Sequence, residues 1–110
     1  MKKTIKRHPH FKFVMNTGSK TVLKTCIIYT VPINIFTKKF KSYTGKNYVY
    51  GIMTTKKLGN AVMRNIIKRR LRVAIQSMNL LGHAYVFIGR KSVSNLPMET
   101  IIKGINTSKN

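Results

Sequence analysis

The chain has 110 residues, 22 of them Lys or Arg and a single acidic one, Glu99, for a formal charge of +21; 43% of its residues are hydrophobic. One carboxylate excludes an acid pair that would hold two metal ions or serve as general acid and base, and one cysteine excludes an intramolecular disulfide or a cysteine-built zinc site. The Ile, Val, Leu, Phe and Tyr spread along the chain exclude a disordered basic tail. What remains is one small folded domain, residues 1–110, in a reducing cytoplasm. Its unpaired charge points to a polyanionic partner, and phosphate, sulfate or RNA should relieve its self-repulsion.

The first segment, MKKTIKRHPHFKFVMNTG, is charged at its start like a secretion signal, but His8, Pro9, His10 and Lys12 interrupt any apolar core. No window approaches the roughly 18 apolar residues of a membrane span. Phe11, Val14 and Met15 follow i, i+3, i+4 spacing, which predicts a short helix from about Pro9 to Thr17, with proline early and Gly18 at its close. Thr21 to Val31 is rich in β-branched and aromatic residues and predicts one strand or two short ones, ended by Pro32. The next stretch, INIFTKKFKSYTGK, reads as a loop or irregular hairpin connection in which Lys38, Lys39 and Lys41 meet RNA or keep the loop soluble.

Asn47 to Thr55 alternates as a second main strand, and the chain then turns through Gly59 into a helix with Asn60 as N-cap. On a wheel from Ala61 to Met78, the residues Met63, Ile67, Leu71, Ala74, Ile75 and Met78 share one face, while Asn65, Lys68, Arg69, Arg72 and Gln76 share another. Arg70 points towards the apolar side and must reach outward at its edge. Gly82 closes the segment, Ala84 to Gly89 predicts a buried strand, and Pro97 to Ile105 a terminal helix. This order predicts an α+β sandwich with helices on a sheet, two strands flanking the long helix as a β-α-β unit.

The chemistry is concentrated between Lys56 and Arg72, where Lys56, Lys57, Arg64, Lys68, Arg69, Arg70 and Arg72 stand with no carboxylate among them. An ordinary solvated helix face mixes signs; this one suits phosphates, with Asn65 able to donate and accept at sugar or base edges. His8, His10 and His83 have no context for catalysis or metal binding and read as surface or RNA-contacting groups. Cys26 reads as a small buried strand residue. Gly18 and Gly59 serve backbone geometry. Charge and size alone also fit a ribosomal protein. A DNA-binding architectural protein fits less well, since no helix-turn-helix or zinc pattern is present.

The register of this window, KKLGNAVMRNIIKRRLR, separates these possibilities. It resembles the signature of the bacterial ribonuclease P protein component, approximately K-x-x-G-x-A-V-x-R-N-R-x-K-R-x-x-R, at Lys56, Gly59, Ala61, Val62, Arg64, Asn65, Lys68, Arg69 and Arg72. Arg7, Phe11, Val14 and Gly18 are similar to the family's N-terminal R-x-x-x-F-x-x-V-F-x-x-G helix, and YVFIGRKSVSNL to its late strand, arginine and turn. Three features depart from the pattern: Ile66 stands where a second arginine is usual, Met15 where a second phenylalanine is frequent, and the last helix is short. Arg70, one turn after Ile66, is expected to restore charge there.

The resemblance implies a small α/β sandwich with a central, about four-stranded sheet and three helices, like the second domain of ribosomal protein S5, with a left-handed β-α-β crossover. It implies a protein subunit that joins a catalytic RNA in removing the 5′ leader from precursor tRNA. The Mg²⁺-dependent hydrolysis then belongs to the RNA, and the protein itself binds no cofactor. Lys56, Lys57, Arg64, Asn65, Lys68, Arg69 and Arg72 would contact the catalytic RNA. Phe11, Lys12, Met15 and Tyr29, in a cleft between the first helix and the sheet, would grip the single-stranded leader, with Phe13 either helping or packing inside.

Overall fold

In the computed structural model, residues 4–107 are described. Helix α1, His8–Thr17, begins with Pro9 in its first turn, where a missing N–H breaks no helical bond, and closes as the Gly18 N–H donates to the Val14 carbonyl at 2.8 Å. His10 and Val14 are its buried residues. The β-rich run that follows is split into two antiparallel strands, β1, Ser19–Val22, and β2, Cys26–Pro32, which pair Lys20 with Tyr29 and Val22 with Ile27.

The expected loop after Pro32 is instead a helix, α2, Ile33–Lys39, followed by a 3-10 turn at Lys41–Tyr43. Phe36, Phe40 and Tyr43 recur at i, i+4, i+7, so one apolar stripe runs through the lysines. Phe36 is fully buried, with ring centroids 5.1 Å from Phe40 and 5.0 Å from Tyr43, and Lys38 and Lys39 lie in the last turn, where the helix dipole favours cations. A helix of seven residues is held by such packing rather than by its own propensity.

Strand β3, Val49–Met53, leads through a 3-10 turn at Lys56–Leu58 to α3, Ala61–Ile75. Gly59 supplies the turn with φ +124°, a conformation L side chains rarely adopt. The Asn60 side chain accepts from the Met63 N–H at 3.0 Å, as expected of an N-cap. The helix stops before Met78, which is buried all the same because the Ser77 and Met78 N–H groups fold back onto the Ala74 and Ile75 carbonyls. Strand β4, His83–Gly89, and α4, Met98–Thr107, complete the chain. Residues 108–110, on which the expectation of a short last helix also bears, lie outside the described residues.

The sheet order is β1-β2-β4-β3, with β4 antiparallel to β2 and parallel to β3, so α3 is the crossover of the β-α-β unit. Helices α1 and α2 cover one face over Val31, Val49, Ala84 and Val86. On the other face, α3 and α4 lie over Ile28, Tyr85 and Phe87. Central β4 is therefore buried from Ala84 to Phe87, which accounts for its unbroken apolar sequence. The α+β architecture is as expected, with four α-helices among the described residues rather than three.

Candidate nucleic-acid interface

Two surfaces can be built from these elements. The first is α3 and the turn that leads into it. Leu58 is buried and anchors the turn while Lys56 and Lys57 remain exposed. On the helix, Asn65, Arg69 and Arg72 are exposed, and Lys68 and Arg64 are half-buried. Arg64 Nε is covered and has no hydrogen-bond partner among the described residues. Ile67, Leu71, Ala74 and Ile75 are buried on the side opposite Asn65, Arg69 and Arg72, and the half-buried Arg64 and Lys68 fall beside this buried arc, so folding fixes which residues α3 presents to water.

Arg70 behaves differently from its neighbours. Its Nε donates to the Val93 carbonyl at 2.8 Å and a terminal nitrogen donates to the Leu96 carbonyl. The guanidinium expected to make up for Ile66 is thus bound to the protein's own backbone, where it ties α3 to the segment after β4. Ile66 itself is 38% exposed.

The second surface lies between α1 and the sheet. Phe11, Met15 and Tyr29 are all half-buried and pack against the same cluster, Val14, Val31 and Val86 among its members, while Lys12 is exposed. Phe11 sits on Gly51 of β3: a Cβ there would lie 2.4 Å from Phe11 Cε1. Tyr29 has Lys20 Nζ 5.9 Å from its ring centroid. Strand alternation puts Ile27, Ile88 and Met53 on the same face, each only half-buried, with Val22 beside Ile27 and 56% exposed. This leaves a strip of apolar sheet next to the two α1 side chains. Phe13 belongs elsewhere, edge-on to Phe40 with ring centroids 5.4 Å apart.

A cleft of about 320 Å³ joins the two surfaces. Lys68 and Arg72 of α3 line it together with Phe11 of α1, Tyr50, Gly51 and Ile52 of β3, and the leading segment Thr4, Ile5 and Lys6. That segment is held against the β3 edge by the Ile5 N–H donating to the Tyr50 carbonyl at 2.7 Å. The Thr4 hydroxyl is buried without a partner among the described residues. Lys6, Tyr50, Gly51 and Lys20 were not singled out by the sequence; a glycine inside an alternating strand is the one available signal, since it marks close approach of another group.

Two further reactive groups, Cys26 and His10, are structural. Cys26 is fully buried, and burial pushes its thiol up to about 11. Contrary to the expectation of a surface group, His10 is buried with its Nδ1 2.9 Å from the Tyr43 hydroxyl. No group of three metal-ligating side chains occurs among the described residues.

A family model described as Ribonuclease P matches residues 1–108. The chain belongs to the ribonuclease P protein family. Among relatives named ribonuclease P protein component, that of Streptococcus thermophilus is 30% identical over 109 residues, covering 96% of this chain and 89% of the relative. A Streptococcus agalactiae counterpart is 31% identical, with 96% and 91% covered. The fold is shared with the ribonuclease P protein of Staphylococcus aureus, at a TM-score of 0.74 and 24% identity over 97% of this chain and 92% of that one. It is shared equally with that of Thermotoga maritima, at 0.74 and 17% identity over 97% and 94%. Membership in the ribonuclease P family places the chain with a bacterial ribonucleoprotein and gives it an RNA partner. No helix among the described residues is long and apolar enough to cross a membrane.

Proposed function

We propose that this protein is the RNA-binding subunit of a cytoplasmic ribonuclease P, acting as one domain over residues 1–110 in the endonucleolytic removal of the 5′ leader from precursor tRNA. In this reading Lys56, Lys57, Arg64, Asn65, Lys68, Arg69 and Arg72 bind the catalytic RNA and stabilise its fold. Phe11, Met15 and Tyr29 offer faces to unstacked leader bases, and Lys12 follows the leader backbone. Met15 contributes flexible apolar contact where an aromatic ring would stack.

The observation that carries this reading is the cleft in which Phe11 meets Lys68 and Arg72. RNA held on α3 would deliver a strand directly onto the aromatic surface of α1, so that one small protein grips the catalytic RNA and its substrate side by side. The protein's chemistry is confined to binding. Glu99, its single carboxylate, provides no acid pair, and the hydrolysis with its Mg²⁺ requirement falls to the RNA. Neutralising closely packed phosphates is also how a cationic protein lets such an RNA work with fewer metal ions.

Reconstitution with the cognate catalytic RNA tests the proposal. The protein should lower the Mg²⁺ concentration needed for precursor cleavage and raise the cleavage rate at low Mg²⁺. If it does neither, the assignment fails.

A further inference from the structure

At about 100° per residue, Val62, Ile66 and Val73 fall within about 40° of one another around α3. All three face water, at 67%, 38% and 45% exposure. They are on the side away from the buried Ile67, Leu71 and Ala74, so they form a second apolar stripe on a helix that already has one for the core. Val62 and Ile66 stand one turn apart and Val73 two turns beyond Ile66, past Arg69, and folding gives none of the three a role. Arg69, Asn65 and Arg72 come next around the helix on one side. On the other is Arg70, withdrawn to the Val93 and Leu96 carbonyls. The outward surface of α3 is thus half aliphatic and half cationic, with no carboxylate on the helix.

We propose that the ridge of Val62, Ile66 and Val73 is a non-electrostatic RNA contact. It seats against riboses and base edges in the shallow groove of an A-form duplex while Arg69 and Arg72 take the flanking phosphates. This rests on the reading of α3 as an RNA-binding helix. Charge selects the occupant: a second copy would bring the same cations of a +21 chain face to face, whereas a nucleic acid neutralises them. Shape selects duplex RNA, whose minor groove is wide and shallow and presents sugars, while its major groove is too deep and narrow to admit side chains. From Val62 to Val73 the ridge runs about 16 Å along the helix axis, enough to cross such a groove. Ile66, standing where the family pattern has arginine, then trades a phosphate contact for apolar surface.

The test uses the full chain, the catalytic RNA and the triple variant Val62→Ser, Ile66→Ser, Val73→Ser. Because the three side chains are exposed, the variant should melt close to the parent. Its Kd at fixed salt should rise about tenfold or more, with the log–log salt slope unchanged, because apolar contacts release no counterions. Ile66→Arg, which keeps bulk but adds charge, should steepen that slope by up to about 0.9. A triple variant binding within about twofold of a parent that itself shows the expected slope overturns the ridge alone. A parent that does not bind the RNA overturns both the ridge and the reading beneath it. A parent that sediments as a dimer, broken by the triple variant, makes the ridge a self-association face and also overturns the proposal.

Discussion

His10 is 9% exposed, its ring centroid 4.2 Å from that of Phe40 and its Nδ1 bonded to Tyr43, so it joins α1 to the α2 segment. Desolvation, and behind it the charge of Arg7, hold its pKa below the ordinary 6.5. The unfolded chain therefore takes up a proton that the folded chain resists. His10's contribution to stability is complete above the unfolded value, is lost as pH falls below it, and levels off beneath the folded value. The melting temperature should accordingly decline below pH 6.5, the unfolded value, and His10→Phe should reduce that decline. A decline unaffected by the substitution would remove His10 from this role. Gly51 allows a second check at this scale. A methyl group there meets the Phe11 ring and the Ile5 Cβ, 3.0 Å away, so Gly51→Ala should cost about 1–3 kcal/mol in denaturant unfolding. It should also weaken binding of a precursor that carries a leader more than binding of the mature tRNA; equal effects would leave Phe11 with a packing role only. Neither position was legible beforehand. Period and alternation say which face a residue is on, and the partner on that face, 40 residues away in the case of Phe11 and Gly51, comes from the tertiary fold.

Helix α3 was readable because several local signals agree: a positive-φ glycine, an N-cap asparagine, a 3.6-residue apolar period and a one-sign polar face. For α2 the signals conflicted. Lysines crowd the spacing of Phe36, Phe40 and Tyr43, and the helix is too short for its period to stand out. The break between β1 and β2 was half visible. It falls at Leu23, Lys24 and Thr25, without glycine or proline, and is closed by the Leu23 N–H donating to the Cys26 carbonyl at 2.9 Å. Arg70 shows where element-level reading went astray. A wheel places it near Ile66 but cannot reveal carbonyls on another segment. Arg70→Ala should destabilise the fold by about 1–3 kcal/mol through those lost bonds while leaving the salt slope of RNA binding unchanged. A stable variant with weakened RNA binding would restore the compensating role to Arg70.

At the scale of the molecule, composition predicted the partner class and the α+β order predicted the layers, yet the convergence of surfaces was out of reach. Lys6 and Arg72 line one cleft from opposite parts of the chain because the leading segment runs along the β3 edge and the crossover returns α3 over the same strand. That arrangement turns a net charge of +21 from a general affinity for polyanions into a directed surface. Each phosphate it neutralises releases counterions, so affinity for the catalytic RNA must fall with salt in proportion to the number of contacts. The most direct test is a salt titration of binding between the full chain and the catalytic RNA, repeated with Arg64→Gln and Lys68→Gln. With about six phosphates engaged, the parent should show a log–log slope of roughly −4 to −5, and each substitution should flatten it by up to about one. A parent slope near zero, or a slope that neither substitution changes, would contradict an RNA-binding surface on α3.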